Sequence, residues 1–142
     1  MILTDVNILV YAFRKDADNH ARYRKWLSDI INAPGPYSTH DLVLSGFLRV
    51  VTHPKVFKQP SSFDEAFGFV DTLRSQPNCH ALNCGEQHWD IFIDLCRKAD
   101  ARGNLIADAF LAALAIQSGC EWVTADRDFA RFQGLRWFHP LG

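Results

Sequence analysis

Three aspartates lie inside or at the edge of stretches of sequence that are otherwise apolar. Asp108 falls within Asn104–Ile116, a segment rich in Ala and Leu that carries no other charge. Asp5 interrupts the apolar start of the chain, and Asp126 follows an apolar stretch near its end. A buried carboxylate must be protonated, paired or bound to a cation, because its unpaired charge is costly to remove from water. We therefore expect Asp5, Asp108 and Asp126 to form a cluster that a hard cation holds together.

Such a cluster suits Mg²⁺ or Mn²⁺, which prefer oxygen ligands and retain several waters. A cation held there lowers the pKa of a water, orients it and neutralises charge on a phosphate. We expect the polar neighbours Asn7 and Thr124 to orient the carboxylates or the waters.

Each aspartate also has a purely structural interpretation. Asp5 suits a helix N-cap, Asp126-Arg127-Asp128 suits a turn, and Asp108 suits a first-turn carboxylate favoured by the helix dipole. Any one of these interpretations is reasonable alone, but one shared site explains the three residues together.

Composition places the chain among ordinary globular proteins. It has 142 residues, of which 48% are hydrophobic and 22% charged, and this predicts a single domain over residues 1–142. The net charge of -1 gives no broad basic surface for nucleic acid, although a local groove can still be basic. The four cysteines lack metal-binding spacing, and no leader or membrane-length stretch is apparent, so we expect reduced thiols in a cytoplasmic protein with no membrane partner.

Short apolar strands are predicted to alternate with longer helices along the whole chain. The predicted strands are Ile2–Thr4, Cys79–Leu82, Glu121–Thr124 and Leu135–Phe138. The predicted helices are Asn7–Phe13, His20–Ile31, a helix capped by Ser38 or Thr39 that ends at Val51, a helix from the capping box at Ser62 to Leu73, Glu86–Ala99, the Asp108 helix between Gly103 and Gly119, and one turn at Phe129–Phe132.

This alternation predicts an α/β fold with a parallel sheet covered by helices on both faces. Ligands of such sheets bind beyond the carboxyl ends of the strands. Asp5 and Asp126 both follow apolar strands, so they are predicted to point into one crevice. Asp108 is predicted to reach the same edge from the start of its helix.

The segments around these aspartates resemble the PIN-domain nucleases, and among them the VapC toxins of bacterial toxin–antitoxin pairs. The resemblance covers essentially the whole chain, through Ile2–Tyr11, Leu105–Ala115, Val123–Phe129 and Phe132–Leu141. It implies a three-layer α/β/α PIN-like fold with a central parallel sheet, and an endoribonuclease that depends on Mg²⁺ or Mn²⁺ and cleaves RNA phosphodiester bonds.

The resemblance also assigns residues and partners. It implies catalytic carboxylates at Asp5, Asp108 and Asp126, metal ligands at Asp5 and Asp108, and an additional acid at Asp128. The implied partners are an RNA substrate and a small VapB-type antitoxin, and we also expect a homodimer.

The chain departs from the family pattern at Gly46, where the second acid of the family is usually a Glu. Asp41 lies about 140° away around a helix and is a poor replacement. Ser45 can hold a water but supplies no charge. One carboxylate fewer is therefore expected, and the alternative function is a catalytically silent PIN-like module that binds RNA or a protein. A DNA nuclease or phosphatase on the same fold is a third interpretation.

Basic side chains near the first aspartate have two interpretations. A solvated helix face is the favoured one, and a rim that contacts RNA phosphates is the other. Arg49, one turn beyond Gly46, is a further candidate to face the site. The loose basic group consists of Arg14, Lys15, Arg22, Arg24 and Lys25.

Overall fold

The computed structural model describes residues 1–142 as five strands, six α-helices and one 3-10 helix. The strands are β1 (Ile2–Thr4), β2 (Tyr37–Thr39), β3 (Cys79–Ala81), β4 (Glu121–Val123) and β5 (Trp137–Phe138). The α-helices are α1 (Val6–Phe13), α2 (His20–Asn32), α3 (Asp41–Val51), α4 (Phe63–Ser75), α5 (His88–Ala99) and α6 (Asn104–Ser118), and the 3-10 helix spans Arg127–Arg131.

The strands form one parallel sheet in the order β3-β2-β1-β4-β5. The chain moves outward from β1 to β3 and then returns to β4, so the right-handed crossover rule puts α1 to α4 on one face and α5 and α6 on the other. The fold is therefore the predicted α/β arrangement with helices on both sides of a central parallel sheet. The direction of the connections reverses between β1 and β4, where open sheets of this type place their ligands.

The core lies where both helical layers meet the sheet. Leu3 and Trp122 of the central strands are fully buried, as are Phe47 of α3 and Leu114 of α6. Four alanines of α6 are also buried, and their small side chains suit a helix that lies close to a sheet. Burial of this apolar surface stabilises the edge of the sheet on which the aspartates lie.

Strand β2 is the element that the sequence analysis missed. The sequence predicts Ser38 or Thr39 as the cap of the helix that ends at Val51. In the structure both residues belong to β2 and pair in parallel with β3. The cap of α3 is instead His40, whose Nδ1 accepts a hydrogen bond of 3.1 Å from the Leu42 amide. Backbone hydrogen bonds to the two neighbouring strands outweigh the local preference of this segment for a turn. Three residues are also too few to show the alternating apolar pattern that predicts a strand. The N-cap at Ser62 is confirmed, since its hydroxyl accepts from the Glu65 amide at 3.1 Å.

Two further features of the fold are the state of its cysteines and the length of its helices. All four cysteines are free. Cys120 lies 3.6 Å from the Ser38 hydroxyl and Cys79 lies 3.7 Å from the Thr39 hydroxyl, so two of the thiols pack within the sheet. None of the helices combines the length and the apolar character needed to cross a bilayer.

Candidate active site

Asp5 lies at the junction of β1 and α1 and is only 7% exposed. Its amide donates to the Val123 carbonyl at 2.9 Å, which ties this junction to the end of β4. Asp5 occupies the N-cap position of α1, but its side chain makes no capping hydrogen bond. Its Oδ2 instead accepts a hydrogen bond of 2.7 Å from the Thr124 hydroxyl. Burial raises the pKa of Asp5, although the bond from Thr124 opposes that shift.

Thr124 joins the two strand ends that carry aspartates. Its side chain is completely buried at the end of β4. The hydroxyl donates to Asp5 and accepts from the Asp126 amide at 3.0 Å. Both hydrogen-bonding functions of the hydroxyl are therefore satisfied, and they fix Asp5 relative to the turn that contains Asp126.

Asp126 begins the 3-10 helix that follows β4. One of its carboxylate oxygens, Oδ1, accepts from the Asp128 amide at 2.9 Å, as expected for the turn interpretation. That bond occupies only one oxygen. Asp128 lies 3.6 Å from the Arg131 guanidinium on the exposed side of the same helix.

Asp108 lies in the second turn of α6, half-buried, so the first-turn interpretation is wrong for this residue. Its pKa is raised to about 6. Burial is the largest cause, followed by the negative charges of Asp126, Asp5 and Asp128, while the positive charge of Arg131 opposes the shift. The structure therefore brings the sequence-predicted aspartates into one electrostatic neighbourhood.

The electrostatics of this neighbourhood suit a cation. None of Asp5, Asp108 and Asp126 forms an ion pair with a Lys, Arg or His side chain. Equally, no three His, Cys, Asp or Glu side chains are arranged so that they could hold one metal ion. This combination fits a hydrated divalent ion that takes one or two carboxylates and completes its shell with water, and it does not fit a closed all-protein cage.

Gly46 lies on α3 where that helix meets the start of α1. A Cβ atom at this position would lie 3.1 Å from Cγ2 of Val6, the residue after Asp5. The position of the missing acid is therefore close to the first aspartate, and the glycine allows the two helices to approach. Ser45 donates its hydroxyl to the Leu42 carbonyl of its own helix at 3.2 Å, and Asp41 is exposed on the first turn.

Arg131 is the charged neighbour of the site that the sequence analysis missed. It lies three residues after Asp128, a spacing that puts both side chains on one side of a helical turn, and this was the available signal. Arg49, which was the candidate from the sequence, is exposed and forms no ion pair. Asn7 is exposed on the first turn of α1 and makes no side-chain hydrogen bond, so its supporting role stays a prediction.

Comparison with known proteins agrees with this fold. Residues 2–135 match the family model described as the PIN domain. The VapC ribonuclease Mb2897 of Mycobacterium bovis is 48% identical over 141 residues, which cover 99% of this chain and 96% of that protein. The ribonuclease VapC31 of Mycobacterium tuberculosis is 41% identical over 140 residues, which cover 99% of both chains.

Solved structures share the fold at low sequence identity. VapBC2 from Rickettsia felis, bound to a DNA fragment from its promoter, matches with a TM-score of 0.71 at 20% identity and covers 98% of each chain. VapBC-1 from nontypeable Haemophilus influenzae matches with a TM-score of 0.69 at 16% identity over the full length of both chains. The chain therefore belongs to the PIN-domain family and, within it, to the VapC ribonucleases.

Proposed function

We propose that residues 1–142 form one catalytic domain, a metal-dependent endoribonuclease that acts as the toxin of a VapBC-type toxin–antitoxin pair. The observation that carries this proposal is a group of aspartates without ion-pair partners, at the carboxyl ends of β1 and β4 and on α6, in a chain 48% identical to a VapC ribonuclease. The catalytic carboxylates are Asp5, Asp108 and Asp126.

Asp5 and Asp108 are the proposed ligands of Mg²⁺ or Mn²⁺, and Asp126 completes the site directly or through water. Such an ion supplies positive charge beside the scissile phosphate and makes a water more acidic. Thr124 holds one oxygen of Asp5 at 2.7 Å and leaves the other oxygen available. Arg131, whose positive charge acts on Asp108, is the proposed contact for a phosphate of the RNA backbone.

The alternative of a catalytically silent module rests on Gly46. The remaining aspartates argue against it, because a chain without catalysis gains nothing from partly buried carboxylates that repel one another. Burial and mutual repulsion raise the pKa of Asp108 to about 6, which is a cost to folding that binding a cation relieves.

The test is cleavage of single-stranded RNA with Mg²⁺, with Mn²⁺ and with chelator, by the parent protein and by Asp5→Asn and Asp108→Asn. We expect cleavage only with metal and only by the parent. Asp71→Asn, an exposed aspartate in α4, is the matched control and should cleave like the parent.

Metal binding has a second readout that does not need activity. An ion present at 100 times its dissociation constant stabilises the folded state by about 2.7 kcal/mol. Mn²⁺ should therefore raise the melting temperature of the parent and of Asp71→Asn, but not that of Asp108→Asn. Equal cleavage or equal metal stabilisation by Asp108→Asn would contradict the assignment.

A groove on the helical face is the proposed seat of the antitoxin. A cavity of about 740 Å³ lies between α2, α4 and the end of α1, with an apolar wall formed by Ala12, Phe13, Leu27, Ile31 and Phe69. An amphipathic helix of a VapB-type antitoxin suits this wall. The groove lies at the C-terminal end of α1 and Asp5 at its N-terminal end, and the eight residues of this helix span about 12 Å. We therefore propose that an antitoxin segment continues along α1 and presents a basic side chain to Asp5.

The homodimer expected from the sequence is also a proposal. Phe63 and Phe67 on α4 are 64% and 41% exposed, and their rings lie 4.9 Å apart. A contact between subunits is a common reason for such an exposed aromatic pair. Light scattering should give twice the monomer mass for the parent and the monomer mass for a Phe63→Ser, Phe67→Ser variant.

A further inference from the structure

A second cavity, of about 770 Å³, opens beside β5 on the side of α2. Its volume lies within the range of about 300–1,000 Å³ that is typical of sites for small organic ligands. Its wall combines aromatic and basic side chains and contains no Asp or Glu. The side chains that matter most are Tyr23, Trp137, His139, Arg22 and Arg127.

This cavity adjoins the carboxylate site. Arg127 is the residue after Asp126, on the 3-10 helix that Asp126 caps. On the other side, the Thr124 amide donates to the Phe138 carbonyl at 3.1 Å, and the Thr124 hydroxyl contacts Asp5. The turn at Asp126 and the neighbouring strands β4 and β5 therefore separate the two sites. A flexible chain that lies across the carboxylates can continue into the cavity.

The positive charge of the cavity is available to a ligand. Arg22 and Arg127 are both exposed, and neither forms an ion pair with an acidic side chain. Arg14, by contrast, makes two hydrogen bonds to Asp16. Arg49 and Arg97 are also free of ion pairs, so what distinguishes Arg22 and Arg127 is their position on one cavity. Two unpaired guanidinium groups that line one cavity from different elements, α2 and the 3-10 helix, suit an anion that carries more than one charge, such as a phosphodiester backbone.

The aromatic wall is held in place by its own contacts. The Tyr23 ring lies 5.1 Å from the ring of Tyr11, and its hydroxyl lies 3.5 Å from Nε2 of His139. Nδ1 of His139 accepts from the Leu141 amide at 3.1 Å, which fixes that ring from the other side. Trp137 is a strand residue in register with Trp122. The Tyr23 and His139 rings are therefore held in place, and rings that are ordered in advance lose little conformational entropy when a ligand packs on them.

We propose that this cavity binds a nucleotide of single-stranded RNA next to the phosphate that is cleaved. The base packs against Trp137 and the neighbouring rings, and the flanking phosphates contact Arg22 and Arg127. The inference rests on the proposed ribonuclease function and assigns it a substrate subsite. Single-stranded RNA fits better than duplex, because only unpaired bases can enter a cavity and stack on side chains.

The experiment measures binding without cleavage. A fluorescein-labelled RNA of 16 nucleotides and mixed sequence is titrated with the Asp108→Asn protein in chelator, and anisotropy is followed at several salt concentrations. The double variant Arg22→Gln, Arg127→Gln on this background should bind at least about tenfold more weakly. The slope of the logarithm of the binding constant against the logarithm of salt concentration should become about 1.4 shallower, because each lost phosphate contact to a single strand contributes about 0.7.

Two further variants separate stacking and surface charge. Trp137→Leu should weaken binding by about 5- to 150-fold, the range expected for the loss of one stacked base, while Trp137→Phe should stay close to the parent. Arg97→Gln changes an exposed, unpaired arginine on α5 and should bind RNA with unchanged affinity and salt slope. Circular dichroism of each variant establishes that it is folded.

Several results would overturn the subsite. The first is an absence of RNA binding by the Asp108→Asn protein, and the second is unchanged RNA affinity in the Arg22→Gln, Arg127→Gln variant. The third is a loss of RNA affinity in that variant no larger than the loss in Arg97→Gln. Arginine variants that bind RNA normally but lose the antitoxin would identify the cavity as a protein-binding site. A parent that cleaves RNA with metal while the arginine variants bind normally would refute this inference alone. If the parent protein does not cleave RNA with metal but the arginine variants lose RNA binding, the cavity binds RNA and the catalytic proposal is refuted.

Discussion

The hydroxyl of Thr124 serves two aspartates, so its removal tests how the site is positioned. Thr124→Val keeps the shape of the side chain but leaves the Asp5 carboxylate and the Asp126 amide without their buried partner. We expect the free energy of unfolding to fall by about 1–3 kcal/mol, the cost of unsatisfied buried groups. RNA cleavage should fall in parallel, because Asp5 is no longer held.

Denaturant unfolding and single-turnover cleavage measure the two effects. Thr124→Ser retains the hydroxyl and should recover most of both. A valine variant that cleaves RNA as fast as the parent would show that Thr124 has no positioning role.

The raised pKa of Asp108 makes the stability of the protein depend on pH. The pKa is 3.8 ordinarily and about 6 in the folded state, so between these values the folded state binds more protons than the unfolded state. The free energy of unfolding therefore falls as pH rises through this range, and the penalty remains in full above pH 6. The charge is half-exposed, so solvent screening reduces the effect.

Substitution of Asp108 by Asn should remove this contribution to the pH dependence of stability. In chelator, Asp108→Asn is expected to melt a few degrees above the parent at about pH 7.5 and to show no such advantage at about pH 4. Asp71→Asn should follow the parent at both pH values. An Asp108→Asn variant that is less stable than the parent at pH 7.5 would contradict the repulsion between Asp108 and its neighbours.

At the scale of elements, the contact between α3 and α1 decides what Gly46 contributes. A glycine inside a helix costs up to about 1 kcal/mol relative to Ala, so its presence needs a compensating role. The distance of 3.1 Å between a Cβ at this position and Val6 Cγ2 provides one, because any side chain crowds Val6, the residue after Asp5. We therefore expect Gly46→Glu to bind Mn²⁺ no more tightly than the parent and to cleave RNA more slowly.

Two further variants separate crowding from charge. Gly46→Ala adds the Cβ without a carboxylate and should also cleave more slowly. Val6→Ala removes the atom that is crowded and should restore cleavage to Gly46→Ala. Tighter Mn²⁺ binding in calorimetry together with faster cleavage by Gly46→Glu would instead identify a site that has lost a ligand.

The elements that could be predicted from sequence are those with strong local signals. The helices of the chain show an apolar period or a capping residue, and the structure contains each of them, from α1 to α6. Strand β2 has three residues after a Pro-Gly-Pro segment, and it exists because β1 and β3 pair with it from both sides. Pairing between distant segments has no local signature, so a single sequence does not reveal it.

The candidate site was predictable to the level of residue identity and strand end. The α/β pattern predicts that Asp5 and Asp126 lie at the carboxyl edge of one parallel sheet. That their strands β1 and β4 are direct neighbours is known only from the structure. The orientation of each side chain depends on tertiary hydrogen bonds, such as that from Thr124 to Asp5, across 119 positions of sequence. The proximity of Arg131 to Asp108 depends likewise on how the 3-10 helix packs, which no spacing rule determines.

At the scale of the whole molecule, the carboxylate edge and the groove between α2 and α4, which has one apolar wall, are separate surfaces that one partner is proposed to cover. Toxicity and neutralisation can therefore be uncoupled by substitution. Expression of the parent should arrest growth, and co-expression of the small protein from the neighbouring gene should restore it. Asp108→Asn should be harmless but should still bind that partner, since it leaves the groove intact.

A charge in the groove should have the opposite effect. Ile31→Glu places a carboxylate on the apolar wall, where the apolar face of an amphipathic helix would have to bury it. The variant should cleave RNA and arrest growth like the parent, yet the antitoxin should no longer rescue the cells, and its affinity in calorimetry should fall. Trp89→Glu, which puts the same charge on an exposed apolar residue of α5, is the control and should remain neutralised. Two results would contradict antitoxin binding in this groove: rescue of cells that express Ile31→Glu with unchanged affinity, or failure of the antitoxin to rescue cells that express Trp89→Glu. A helix bound between α2 and α4 contacts position 31 and not position 89, so it should respond only to the first charge.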